Sequence, residues 1–162
     1  MEGGEVVVIG LARSGIAAAS FLAQRGARVV AADAKGEAEI GEEARALRGK
    51  GGRLELGPHR LETFAGASMV VVSLGVPWEL PELEAARSRG VAVIAEIELA
   101  FRHLEGRVAA ITGTKGKSTT TAALGAMLRE AGMDARVGGN IGAPLIGLVE
   151  GSTDATAFAV EV

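Results

Sequence analysis

The chain has 162 residues, of which 48% are hydrophobic and 23% charged; 17 basic against 20 acidic side chains leave a formal net charge of −3. That much apolar material excludes a disordered chain, and the mildly acidic balance argues against a nucleic-acid partner. With no cysteine and only two histidines, disulfides, thiolate chemistry and a zinc site of ordinary ligand count are excluded as well. No apolar run approaches the roughly 20 residues that cross a bilayer, and the acidic start Met1-Glu2-Gly3-Gly4-Glu5 lacks the basic flank of an export signal. The expectation is a cytoplasmic protein without a membrane partner. Aromatics at 3% and 24 glycines imply a core of Val, Ile, Leu and Ala joined by tight turns.

In chain order, Val6-Val7-Val8-Ile9 is an unbroken apolar run of the kind buried on both faces of a parallel sheet. A loop from Gly10 to Gly15 follows, then a helix from Ile16 to Arg25 with Gly26 past its end. Arg28 to Ala32 reads as a second strand stopping at Asp33, Glu37 to Arg48 as a solvated surface helix, and Arg53 to Leu56 as a short third strand. Met69 to Val72 is a strand ending in Ser73-Leu74-Gly75-Val76-Pro77. Pro81 to Arg89 is a helix with proline in its first turn, and Val91 to Ile94 the next strand. This alternation predicts right-handed parallel βαβ units, hence an α/β doubly wound, Rossmann-like domain over residues 1–95. Glu96 to Leu104 reads as a linking helix, placing a linker at 96–105.

A second α/β unit is expected over residues 106–162. Val108 to Ile111 is its first strand, Thr112 to Lys117 a loop, Ser118 to Ala131 a helix, and Ala135 to Val137 and Ala157 to Val160 further strands. It is short for a complete domain of this kind and reads as the start of one, with an open Ala- and Val-rich sheet edge that invites either pairing with a second copy or disorder.

Two turns carry the chemistry. Gly10-Leu11-Ala12-Arg13-Ser14-Gly15 with Asp33 at the end of strand two resembles the dinucleotide fingerprint, with Ala12 in place of the second glycine. From the residues alone, it could hold a nicotinamide or flavin dinucleotide, another nucleotide diphosphate, or nothing. Thr112-Gly113-Thr114-Lys115-Gly116-Lys117-Ser118-Thr119 resembles a P-loop, although Ile111 stands where its first glycine belongs. Backbone N–H groups there could cradle phosphates, with Lys117 offsetting their charge and Ser118 ligating Mg²⁺. The hydroxyls of Ser118 to Thr121 open a helix that propensity would not start this way, so they are expected to face phosphate and metal. Glu161, after an apolar strand, is either a second Mg²⁺ ligand or a solvated acid. His59 and His103 receive no role.

Four stretches, Val8 to Gly15, Val72 to Pro77, Ile111 to Thr119 and Gly138-Gly139-Asn140-Ile141-Gly142, together resemble the Mur ligase family of peptidoglycan synthesis. Glu96-Ile97-Glu98-Leu99 resembles its inter-domain helix, and Gly-Gly-Asn-Ile-Gly points to the member that adds D-glutamate. The resemblance implies a Rossmann-like first domain that binds the UDP part of UDP-N-acetylmuramoyl-L-alanine at Gly10, Arg13, Ser14, Asp33, Ala34, Lys35, Ser73, Leu74 and Gly75, with Asn140 also on that substrate. It implies a central P-loop domain binding ATP at Gly113, Thr114, Lys115, Gly116, Lys117, Ser118 and Thr119, with Lys117 catalytic and Mg²⁺ on Ser118 and Glu161. In the family, ATP phosphorylates a carboxylate and the D-glutamate amine attacks the acyl phosphate. Lys115, Leu74 and Ala12 depart from the family's usual Asn, Pro and Gly. The family continues well past the point matched by Val162, so the 162 residues alone are expected to lack turnover, and the complete enzyme to be monomeric. A sibling ligase of the family, a folylpolyglutamate synthetase-like ligase, and a non-catalytic module binding NAD at the first loop are the alternatives.

Overall fold

The computed structural model describes residues 4–162 and divides into two compact units, Met1–Leu99 and Ala100–Val162. The first is built on a five-stranded sheet in the order β3-β2-β1-β4-β5, formed by β1 (Glu5–Ile9), β2 (Arg28–Asp33), β3 (Gly52–Leu56), β4 (Met69–Val72) and β5 (Ala92–Ala95). Every pairing is parallel, with Val7 level with Val30 on one side and Val70 on the other. Both faces are covered, which explains why β1 is apolar from Val6 to Ile9 instead of alternating. Helix α1 (Arg13–Gln24) packs on β1 and β2 through Ala18, Ala19 and Leu22. Val7, Ile9, Val30, Val70 and Val72 form one core with Phe64 of α3 (Leu61–Ala65) and with Leu83 and Ala86 of α4 (Pro81–Ser88).

The connections leave β1 toward β2 and leave β4 toward β5, in opposite directions. The sheet therefore has its switch point between β1 and β4, where open α/β sheets form a crevice at their carboxyl edge.

The expected helix over Glu37 to Arg48 is replaced by turns, a short α2 (Glu42–Arg45) and a 3-10 segment Ala46–Lys50. Gly41 stands in extended conformation at φ −67°, ψ 163°, breaking the segment just after the buried Ile40. Arg48 then folds back to grip the Glu37 carboxylate with two 2.7 Å hydrogen bonds. Residues 11 apart would lie about 16 Å apart along a continuous helix, so this contact and that helix exclude each other. The gripping guanidinium also holds the exposed Glu37 carboxyl below its ordinary range.

α5 (Glu96–Phe101) is shorter than the expected linking helix to Leu104, and the boundary between the units falls inside it. In the second unit β6 (Arg107–Ile111), β7 (Ala135–Gly139) and β8 (Ala157–Glu161) form a parallel sheet in the order β6-β8-β7. Helix α6 (Lys117–Glu130) packs on β7 and β8. The central β8 is fully buried, whereas Ala109 and Ala110 of β6 are exposed, so β6 is an open apolar edge. The segment 148–151 beyond β7 is tied down by Arg136, whose guanidinium donates to the carbonyls of Leu148, Glu150 and Gly151. Among the described residues no helix is long and apolar enough to cross a membrane.

Candidate functional site

In the first unit, the segments after β1, β2, β3 and β4 meet around a cavity of about 410 Å³ at the carboxyl edge of the sheet. Its apolar wall comes from Ile9, Leu11, Ile40, Leu74, Val76 and Leu80. α1 begins at Arg13, three residues before the expected start, so Arg13 and Ser14 occupy a helical first turn instead of a loop. Ala12 caps that helix at φ −79°, ψ −177° without any side-chain bond. This is ordinary extended backbone, so the position needs no glycine, and the first N–H groups of α1 stay open to an anion. Gly15 does need to be glycine: a Cβ there would collide with the carbonyl oxygen of Gly10, because the helix starts hard against the end of β1.

Asp33 knits two turns together. Its Oδ2 accepts from the Leu11 N–H at 2.6 Å and its Oδ1 from the Lys35 N–H at 2.9 Å. Both oxygens keep a further lone pair for a ligand donor. Ser73 is buried, and its hydroxyl meets that of Ser14 at 2.8 Å. Ala34, Lys35 and Gly75 line the cavity and are exposed, and Leu74 presents 62% of its surface; Arg13 is exposed in the first turn of α1 and, like Ser14 and Ser73, does not line the cavity.

Two further cavity residues, His59 and Glu82, were missed in the sequence. His59 follows β3 and Glu82 is the second residue of α4. The only signal was positional, His59 lying just past the end of β3 and Glu82 in the first turn of the helix that follows β4, and neither belongs to a glycine turn.

In the second unit, β6 runs directly into the turn 112–116, and Gly116 caps α6 at φ 76°. This left-handed conformation favours glycine and turns the chain so that the open N–H groups of α6 face back over the strand. Lys117 is the first helical residue and is half-buried, Ser118 and Thr119 are exposed in the same turn, and Lys115 is exposed in the loop. No acidic residue occupies that turn, so the helix dipole and two lysines favour an anion there. Thr121 departs from expectation. It is fully buried and its hydroxyl donates to the Lys117 carbonyl at 2.9 Å, satisfying its own helix instead of facing a ligand.

Glu161 lies level with Ile111 of β6 and Gly139 of β7, at the carboxyl ends of all three strands. It is 6% exposed, and its Oε2 is shielded from solvent with no hydrogen-bond partner. This excludes the reading as a solvated acid. Asn140 belongs to this unit, not to the first-unit cavity: its N–H donates to the Glu161 carbonyl at 3.0 Å, while the residue remains exposed. The described residues hold no cluster of three or more His, Cys, Asp or Glu side chains able to bind a metal by themselves. Mg²⁺ does not require one, because it is commonly held by one or two protein oxygens together with phosphates and water. An unpartnered carboxylate oxygen at the carboxyl ends of the strands and an exposed serine in the first turn of the helix after β6 fit that pattern.

The family model described as the Mur ligase MurD-like N-terminal domain matches residues 4–95. The chain belongs to the Mur ligase family. Among curated relatives, this Mur ligase chain is 43% identical over its full length to the UDP-N-acetylmuramoylalanine--D-glutamate ligase of Desulfatibacillum aliphaticivorans, covering 36% of that protein. It is 48% identical to the ligase of the same name from Anaeromyxobacter dehalogenans, covering 35%. The chain thus spans about a third of the length of the relatives it matches.

Solved structures of Mur-type ligases share the fold. A murein peptide ligase from Psychrobacter arcticus superposes with a TM-score of 0.59 at 20% identity, over 98% of this chain and 37% of that one. UDP-N-acetylmuramate-alanine ligase from Thermotoga maritima gives 0.54 at 20% identity, over 98% and 37%. The Rossmann-like class expected from the alternation of strands and helices is the class observed.

Proposed function

We propose that the chain is the nucleotide-binding part of an ATP-dependent acid–D-amino-acid ligase of peptidoglycan precursor synthesis, acting in the cytoplasm. The reaction joins D-glutamate to UDP-N-acetylmuramoyl-L-alanine. The observation that carries this reading is the pairing of two anion-ready βα turns, one per unit, in a chain matched from end to end by relatives that bear that ligase's name.

In this reading, the first-unit cavity takes the UDP end of the substrate. Gly10, Arg13, Ser14, Ser73, Leu74 and Gly75 border the diphosphate approach, and Asp33, Ala34 and Lys35 border the nucleoside. Arg13 offsets phosphate charge, and the open N–H groups of α1 supply donors. In the second unit, Gly113 to Thr119 hold the ATP phosphates, Ser118 and Glu161 hold Mg²⁺, and Asn140 contacts the substrate beside them. ATP and Mg²⁺ would supply the phosphoryl group and the charge that activate a carboxylate for amide formation. The role of Lys117 is electrostatic. Its ammonium reduces the repulsion between phosphate and the incoming carboxylate, which is where most catalysis of phosphoryl transfer arises.

The test is a calorimetric titration of the chain with UDP-N-acetylmuramoyl-L-alanine, and with NADH as the competing ligand. Saturable heat from the UDP compound and none from NADH is the expected result. Saturation by NADH alone would return the first unit to the dinucleotide reading and sink the ligase assignment.

A further inference from the structure

In the second unit, the loop after β7 is pressed onto the last residue of β8. Gly139 stands level with Glu161 in the parallel register and takes φ 104°, a conformation that residues other than glycine rarely adopt. A Cβ on Gly139 would collide with the Glu161 carbonyl oxygen, and would lie 3.1 Å from the Glu161 nitrogen and 3.0 Å from Val160 Cγ1. Gly138 is held as closely within its own loop. A Cβ there would strike the Ala143 carbonyl oxygen and lie 2.6 Å from Leu148 Cδ1. Two adjacent glycines are therefore demanded by contact as well as by backbone conformation.

This close approach fixes the backbone that carries Glu161. The Asn140 N–H donates to the Glu161 carbonyl at 3.0 Å, and the Gly139 N–H donates to the Ala143 carbonyl at 3.0 Å. On the other flank, the Val162 N–H donates to the Ile111 carbonyl at 3.0 Å. The end of β8 is thus held between the loop after β7 and the strand that leads into the turn 112–116. None of these bonds uses the Glu161 side chain. Its carboxylate is shielded at Oε2, where no donor meets it, so a cation can reach the group only through Oε1. With one oxygen to offer, the carboxylate depends on its backbone for its aim.

We propose that Gly139 is a positioning residue for the cation, because it lets the loop after β7 close on the end of β8 and so aims the Glu161 carboxylate; this rests on the reading of Glu161 as a Mg²⁺ ligand given above. A buried carboxylate without a protein partner is drawn toward water. Glu161, at the end of its strand, reaches water when that end frays. The bond from the Asn140 N–H opposes the fraying, and a side chain at position 139 removes that bond by wedging loop and strand apart. Groups that orient a metal ligand without touching the metal typically change its affinity by about 10–100-fold when they are lost. By linkage, the cation and the loop that carries Asn140 order each other.

The experiment measures ATP affinity and melting temperature, with Mg²⁺ and with the metal chelated, for the wild type, Gly139→Ala and Gly151→Ala. Gly151 takes φ 66° and a Cβ there would meet nothing within 4 Å, so its replacement strains the same unit without a collision. Both variants are expected to melt below the wild type in the absence of ligand. Gly139→Ala alone is expected to lose the Mg²⁺-dependent part of ATP affinity, by about tenfold or more, while its metal-free ATP affinity stays within about twofold of the wild type. Should Gly139→Ala not fold, hydrogen exchange in the wild type decides: with ATP bound, Mg²⁺ is expected to slow exchange of the Asn140 amide by about threefold or more. A wild-type Mg²⁺ increment in Gly139→Ala, an equal loss in Gly151→Ala, or an Asn140 amide indifferent to Mg²⁺ overturns the inference and leaves the metal reading standing. A wild type whose ATP affinity and melting do not respond to Mg²⁺ overturns both.

Discussion

The hydroxyls of Ser14 and Ser73 meet at 2.8 Å across the switch point of the first sheet, joining the first turn of α1 to the end of β4. Ser73 is 2% exposed, so deleting its partner leaves a buried hydroxyl unmatched. Ser14→Ala or Ser73→Ala should each cost about 0.5–1.5 kcal/mol in urea unfolding. Because the two share one bond, the double variant should cost distinctly less than the sum. Strict additivity would mean that the bond contributes nothing.

Gly15 is a harsher test of the same corner. The collision of a Cβ with the Gly10 carbonyl cannot be relieved by turning a side chain, since both partners are backbone-fixed. Gly15→Ala should destabilise by about 1–3 kcal/mol, the range of an overpacked core. It should also abolish uridine nucleotide binding by moving α1 away from the loop. A variant with wild-type melting and binding would show that α1 does not sit where the structure places it.

The parallel sheet was legible because buried strands such as Val6 to Ile9 carry no alternation and are followed by glycine turns and helical spacing. The two glycine turns after β1 and β6 were legible for the same reason: a glycine demanded by a left-handed cap or a helix pressed on a strand leaves a mark in the sequence. What was hidden depended on contacts between distant residues. Nothing in Glu37 to Arg48 announces that Arg48 folds back on Glu37, nor do five residues from Leu61 make a periodic signal strong enough to declare α3. His59 and Glu82 were invisible as a pair because they are 23 positions apart and become neighbours of one cavity only after α3 and α4 pack. Thr121 misled for a local reason, since a buried hydroxyl finds its own helix carbonyl before any ligand.

Glu55 provides a pH test of the first unit. Burial pushes its carboxyl upward, but hydrogen bonds from Thr63 Oγ1 at 2.8 Å, the Arg60 N–H and Arg53 outweigh it and hold the group below its ordinary range. A carboxyl depressed by folding contributes stability that is complete above its unfolded pKa, near 4.5, and is lost as pH falls through the lower folded value. The stability difference between wild type and Glu55→Gln should therefore be constant at neutral pH and shrink below about pH 4.5. Thr63→Ala should raise the folded value toward the unfolded one and so shrink the total loss, leaving its onset near pH 4.5. Parallel pH profiles for wild type and Glu55→Gln would remove Glu55 as the cause.

Glu161 predicts opposite signs for stability and ligand binding. Its Oε2 is shielded and unpaired at the carboxyl ends of three strands, an arrangement that disfavours the folded state until a cation arrives. Glu161→Gln removes the charge at nearly constant volume, so without ligand the variant should melt no lower than the wild type. With ATP present, added Mg²⁺ should raise the melting temperature of the wild type through linkage. In Glu161→Gln that increment should largely vanish, and the Mg²⁺-dependent part of ATP affinity should fall by about tenfold or more. Ser118→Ala, in the exposed first turn of α6, should reduce the increment without changing the melt in the absence of ligand. An undiminished Mg²⁺ increment in Glu161→Gln would show that the cation, if bound, takes its protein oxygens from elsewhere.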